Sequence, residues 1–225
     1  MPVELTLFAG EPAAGPWVVE SVDHVVARLL SSVPDQVAIP VVAVDGRSGS
    51  GKSTAAQRIA ATIPGAAVLH TDDVAWHHSY FDWTGLLRDG VLDPVRRGRL
   101  PVSYRPPAWS ARSRPGAVEV PASCRMVIVE GVGAGRRELE HLVDGLAWVQ
   151  SDAVESRRRG IQRDGGTPAA EAFWDDWAAQ GGAIPRGPAS LGTRGCHHLR
   201  HSGDTPRHNA RNDRRDIHAV TLQPP

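Results

Sequence analysis

Residues 41–60 read VVAVDGRSGSGKSTAAQRIA. Four apolar residues, an acid and a glycine-rich turn lead into Lys52-Ser53-Thr54. The run Gly46-Arg47-Ser48-Gly49-Ser50-Gly51-Lys52-Ser53 fills every fixed position of the pattern G-x-x-x-x-G-K-S/T. Such glycines let the backbone curl, so that successive N–H groups aim at phosphate oxygens. The helix that follows adds the favourable end of its dipole. In that pattern Lys52 reaches the β- and γ-phosphates and the Ser53 hydroxyl binds Mg²⁺. A glycine-rich turn can also arise by chance. Here AIPVVAVD predicts a strand buried on both faces before it, and KSTAAQRIAATI predicts a helix after it, which is the context the motif requires. Gly46 to Thr54 are therefore the candidate nucleotide-binding residues.

Outward from this unit, strands and helices alternate. WVVESVDHVVARLLSS (residues 17–32) spaces its apolar residues as an amphipathic helix. AAVLH is a second strand, ending at Thr71-Asp72-Asp73. Residues 82–98 predict one or two short helices broken by Gly90 and Pro94, and residues 99–117 a long substrate-side loop. RMVIVEG and GLAWVQS are further strands, each followed by a helix (RRELEHLV and DAVESRRRGIQRD), and PAAEAFWDDWAAQ is a last amphipathic helix. The order implies an α/β fold of three layers around a central parallel sheet.

Beyond residue 180 this pattern stops. Residues 1–180 carry a net charge of −4 and residues 181–225 one of +4, with five of the ten histidines in the latter. Only DIHAVTLQ reads as a short strand there. The expected organisation is one domain over 1–180 and a basic tail over 181–225. That tail is either disordered or, given one lysine against twenty-four arginines, the product of a shifted frame in GC-rich DNA. Two distant cysteines, no basic-apolar leader and no long apolar run fit a cytoplasmic protein without membrane contact. Four net charges in the tail, without interleaved aromatics, do not point to nucleic acid.

Three further elements bear on chemistry. Glu130 ends the MVIVE strand, where a carboxylate can hold Mg²⁺ or simply meet solvent. Asp72-Asp73 end another strand on the same rim and could supply a general base or cap a helix. Arg159 and Arg163 lie four apart on one helical face, which either closes over a triphosphate or is solvated. His77-His78 have no cysteine or further histidine at ligand spacing nearby, which favours a polar loop over a metal site. Trp76, Trp83 and Trp109 lie in the expected acceptor region, where one could line a pocket for a flat or apolar substrate. Trp174 and Trp177 have the spacing of a helix packed on the core.

With these elements in this order, residues 38–165 resemble the uridine kinase family of P-loop phosphotransferases, related to pantothenate kinase and phosphoribulokinase. VAVDGRSGSGKST looks like that family's opening strand and phosphate loop, and VLHTDDVAW is similar to its Asp-containing segment. The latter puts Asp72 on the family's catalytic base. HHSYFDWTGLLRDGVLDPVRRG resembles its H-P-x-x-F-D…L…L…G segment through His77, Phe81, Asp82, Leu86, Leu87 and Gly98. VIVEG is similar to its second carboxylate strand. SDAVESRRRGIQRD looks like its helical lid (about 152–166), with Arg159, Arg163 and Asp164 on the recurrent R…RD positions.

The departures fall mainly on the acceptor side. Trp76 stands where the family has an acid that binds ribose hydroxyls, and Tyr104 in SYRPPAW is followed by Arg105 instead of an acid. Ser156 occupies the lid's first arginine position. A donor half that matches beside an altered acceptor half argues against uridine itself. The resemblance also implies a last core strand after the helix at 168–179, which only DIHAVTLQ could supply.

The resulting expectation is an ATP- and Mg²⁺-dependent kinase acting on a small-molecule hydroxyl. Asp72 would be the base, Lys52, Arg159 and Arg163 would stabilise charge, and Ser53 and Glu130 would hold Mg²⁺. Asp73, Trp76, His77 and Tyr104 would face the acceptor. Two other readings stand beside it. One is an ATPase or GTPase driving a partner, for which no guanine-specifying N-K-x-D occurs; the other is a nucleotide-binding protein without turnover.

Overall fold

The computed structural model describes residues 5–8, 11, 19–31, 33–79, 82–181, 196–200, 216–218 and 220–222. The quoted stretch forms β2 (Val41–Gly46) and α2 (Lys52–Thr62), and β2 lies inside a six-stranded sheet. On one side it pairs in parallel with β6 (Met126–Glu130), which in turn pairs in parallel with β3 (Ala66–His70). On the other side lies β7 (Gly145–Gln150), also parallel.

The apolar run of β2 is continuous because both faces are covered. Val41 and Ala43 belong to one core with Trp83, Leu87, Val91 and Trp109. Val42 and Val44 belong to the other, with Ala56 and Ile59 of α2 and Val25 and Leu29 of α1 (Val22–Leu30). Side chains alternate across a strand, so one sequence run feeds both layers. This is the expected three-layer α/β architecture with a central parallel sheet. Among the described residues, no helix is long and apolar enough to cross a membrane.

Several local expectations are corrected. The helix expected from residue 17 begins at Val22, because the Ser21 hydroxyl caps it by accepting from the His24 N–H. Residues Val19–Ser21 form β1 and pair antiparallel with β9 (Asp216–His218). Gly90 and Pro94 do not break residues 84–96. There α4 (Thr84–Leu87), a π-helical turn (Arg88–Leu92) and α5 (Asp93–Arg96) run on without interruption. Pro94 is the second residue of α5, directly after the π-helical turn. Gly90 is small for a packing reason, since a Cβ there would lie 2.5 Å from the Tyr104 ring.

The supposed loop 99–117 contains β4 (Val102–Tyr104) and α6 (Pro107–Ala111), and β4 pairs antiparallel with β5 (Val118–Val120). Alternating Val102 and Tyr104 opposite Val120 and Val118 explains the pairing, and Trp109 roots α6 in the core. RRELEHLV is a 3₁₀ rather than an α-helix over Arg137–Leu142. Its buried Leu139 and Leu142 are three apart, the period of that tighter helix. The strand beside β7 is not DIHAVTLQ but β8 (Cys196–Arg200), which is parallel to it. DIHAVTLQ is divided between β9 and β10 (Val220–Leu222), the latter antiparallel to β8. The remainder of 182–225, and with it most of the expected tail, lies outside the described residues.

Candidate active site

All the parallel strands end on one rim, and a cavity of about 850 Å³ opens there. Its floor is the turn between β2 and α2. Gly51 precedes α2 with φ +96°, a left-handed conformation that side chains resist. Gly49, at φ +75°, lies against Ser156: a Cβ there would fall 2.1 Å from the Ser156 carbonyl oxygen. Lys52 is buried, and its Nζ donates to the Arg47 carbonyl at 2.8 Å. Burial pushes its pKa down against the pull of Glu130, Asp45 and Asp72.

Opposite Lys52, β6 delivers Glu130. Its Oε1 accepts from the Ser53 hydroxyl at 3.2 Å, and its Oε2 lies 2.6 Å from His70 Nδ1 at the end of β3. Burial alone would raise the Glu130 pKa. The His70 hydrogen bond and the Lys52 charge outweigh it, so the carboxyl is held below its usual value. Two oxygens at the mouth of an anion-binding turn suit a hard cation such as Mg²⁺, which takes one or two protein oxygens and completes its shell with phosphate and water. Among the described residues, no cluster of three His, Cys, Asp or Glu offers an all-protein metal cage.

The Asp72-Asp73 doublet divides. Both lie on α3 (Thr71–Ala75), which continues directly from β3. Asp72 lines the cavity, exposed to it. Asp73 accepts from Arg114 at 2.6 Å and is not among the lining residues. Trp76, His77, His78 and Ser79 carry the wall onward from Asp72. Tyr104 does not join them and packs on Gly90 instead. Trp83 and Trp109 are core residues, leaving Trp76 to line the cavity from this region.

A further wall is α7 (Ala153–Arg163), capped by the Asp152 carboxylate on the N–H groups of Val154 and Glu155. Arg159 and Arg163 both line the cavity. Glu155 holds Arg158 and Arg159, and these bonds, that to Arg158 foremost, lower its pKa to about 2. Asp164 accepts from Arg163 and from the Trp174 indole at 2.8 Å. Trp174 belongs to α8 (Pro168–Gly181) and packs on Gly160, where a Cβ would lie 1.7 Å from its ring. It thus packs its helix against α7 and also lines the cavity with Phe173. Trp177's side chain is outside the described residues. Ser156 is fully buried and shares a hydrogen bond with Ser151, and its backbone lies against Gly49, so this position serves the join between α7 and the turn after β2.

The sequence reading did not find Asp45, His70 or Arg114. Asp45 is buried and accepts from the N–H groups of Gly46, Gly133 and Gly135 at 2.6, 2.8 and 2.9 Å. It fixes the backbone after Glu130 relative to the phosphate loop. The only sequence signal was an acid inside an otherwise apolar strand. Arg47 is not among the residues lining the cavity, and its guanidinium lies 5.0 Å from the Phe8 ring centroid.

No protein-family model and no curated protein matches the chain. Among solved structures, a candidate fructose transport system kinase from Silicibacter sp. TM1040 is similar at 24% identity and a TM-score of 0.52, covering 72% of this chain and 89% of its own. A possible uridine kinase from Bacillus stearothermophilus is 16% identical with a TM-score of 0.45, covering 72% and 94%. The α/β architecture and its central parallel sheet are those of the P-loop kinase fold.

Proposed function

We propose that the protein is an ATP- and Mg²⁺-dependent phosphotransferase acting on a hydroxyl of a small molecule. The observation that carries this reading is convergence. Lys52, the Ser53–Glu130 pair, Asp72, Arg159 and Arg163 reach one cavity from four separate elements. The N–H groups of residues 49–53 and the Lys52 ammonium bind the phosphates and hold the terminal one in place. Ser53 and Glu130 hold Mg²⁺, which when bound neutralises phosphate charge. Asp72, exposed on the wall with its carboxylate engaged by no side-chain hydrogen bond among the described residues, accepts the proton of the attacking hydroxyl. Arg159 and Arg163 lie on the lid face and offset charge on the transferred group. An in-line transfer requires little beyond this positioning and charge.

The reading is tested by ADP release measured across alcohols of several classes, beside Asp72→Asn. The expected result is acceptor-dependent release, lowered by about 10²–10⁴-fold in the variant. Release that needs no acceptor and ignores Asp72→Asn would refute it.

A further inference from the structure

The segment between β4 and β5 does more than cover the core. Arg114, which follows α6, makes contacts converging on the piece of chain that carries Asp72 and Trp76. Its Nη2 donates to Asp73 Oδ1 at 2.6 Å. Its guanidinium carbon lies 3.7 Å from the Trp109 ring centroid and 5.0 Å from that of Trp76. Trp109 joins the same grip, its indole N–H donating to the Asp73 carbonyl at 2.8 Å. Arg114 is held in turn: its carbonyl accepts from Arg105 at 2.6 Å, and its N–H donates to the Trp109 carbonyl at 2.9 Å. Arg105, the residue found where the family pattern has an acid, thus serves this clamp.

Two consequences bear on the cavity. The clamp neutralises Asp73 and keeps it off the wall, so that of the doublet Asp72 alone faces the cavity. It also holds Trp76, so the wall beyond Asp72 presents Ala75 and an indole ahead of His77, His78 and Ser79. An aromatic surface beside a carboxylate suits a ligand with a flat apolar face and a hydroxyl at its edge. A guanidinium over an indole is a directional contact that also sets the ring's tilt.

We infer that Arg114 is a positioning residue: acting through Asp73 and Trp76, it shapes the acceptor side of the cavity for an alcohol on a flat apolar scaffold. This rests on the kinase reading in taking the wall beyond Asp72 as the acceptor side. Benzyl alcohol is the minimal probe, and glycerol the control that has hydroxyls without a flat face.

The test uses the full chain with ADP and Mg²⁺, following the Trp76 indole N–H by NMR, its signal assigned from Trp76→Phe. Benzyl alcohol is expected to shift that signal saturably and glycerol to leave it in place. Arg114→Met keeps the side-chain length and removes the charge and donors; it should weaken benzyl alcohol about fivefold. Arg114→Lys, which retains a cation, should recover part of that loss. ADP affinity should stay within about twofold throughout, since the hydrogen bonds and ring contacts of the clamp described above lie among Asp73, Trp76, Arg105, Trp109 and Arg114. Equal benzyl alcohol affinity in Arg114→Met, an equal response to glycerol, or loss of ADP binding in Arg114→Met would overturn the inference. The two readings fail separately. Benzyl alcohol bound at Trp76 with no phosphoryl transfer to any alcohol refutes the kinase and leaves the clamp. Transfer with an Arg114→Met protein indifferent to the probe does the reverse.

Discussion

On the phosphate side of the cavity, Lys52, Ser53 and Glu130 stand at the ends of adjacent buried strands or the first turn of the helix that follows. Parallel pairing of β2 with β6 is enough to set them opposite one another. On the far side of Asp72, Trp76 has no such support. It follows a five-residue helix and is placed by side chains from a segment more than thirty residues onward. One side is fixed by backbone ladders and the other by a stack of guanidinium and indole rings. The first is hard to alter piecemeal, while the second can change the shape of its wall at single positions without disturbing the strand ends.

The sharpest way to break this contrast is Lys52→Met. Removal of the buried ammonium should lower turnover by about 10²–10³-fold, equally for every alcohol that the protein phosphorylates. A loss confined to one acceptor, in a kcat and KM comparison across alcohols, would dissolve the distinction between the two sides.

Next in size is Gly160→Ala, at the join of α7 and α8. The new methyl would meet the Trp174 ring, and overpacking of this kind costs about 1–3 kcal/mol. Thermal unfolding should show a lowered midpoint, and an unchanged one would mean that α7 and α8 slide freely.

Trp109→Phe keeps the ring under Arg114 and removes the N–H bound to the Asp73 carbonyl. The expected loss is about 1 kcal/mol, read by denaturant titration, with nucleotide affinity retained. A nucleotide affinity that falls with it would join the two sides into one unit.

The smallest effect concerns pH and belongs to the phosphate side. The Glu130 hydrogen bond raises the pKa of His70 above its ordinary 6.5. Its stabilising contribution is therefore complete below that value and is lost as pH rises through the folded-state pKa. Side-chain exposure of 42% screens the pair and keeps the effect small. Without metal or nucleotide, wild type should lose more stability than His70→Gln between about pH 5.5 and about pH 9. Parallel curves would show that the pair does not couple to folding.

The same contrast explains what the sequence disclosed. Continuous apolar runs marked β2, β6 and β7, and the glycine pattern marked the floor of the cavity, because those features are local. Glu130 and the split between Asp72 and Asp73 differ in this respect. The position of Glu130 at a strand end was legible, whereas nothing near Asp73 announces Arg114. Gly90 and Pro94 read as breaks because the packing partner of Gly90 and the π-helical turn before Pro94 are tertiary facts. Tyr104 read as a substrate contact, yet its ring is taken up by Gly90. The strand beside β7 was misplaced because CHHLR has no apolar run to announce it, and pairing alone identifies it.

That last strand also matters while the chain is being made. β7, GLAWVQ, is uncharged and buried along its whole length. Until residues 196–200 leave the ribosome, nothing from β8 covers its outer edge, and an uncovered apolar edge invites pairing with a neighbouring chain. The lining of the cavity is complete by Trp174, well before this edge is closed. A polypeptide stopped in that interval would carry a fully lined cavity on a sheet with an open edge, so it is expected to aggregate although every lining residue is present.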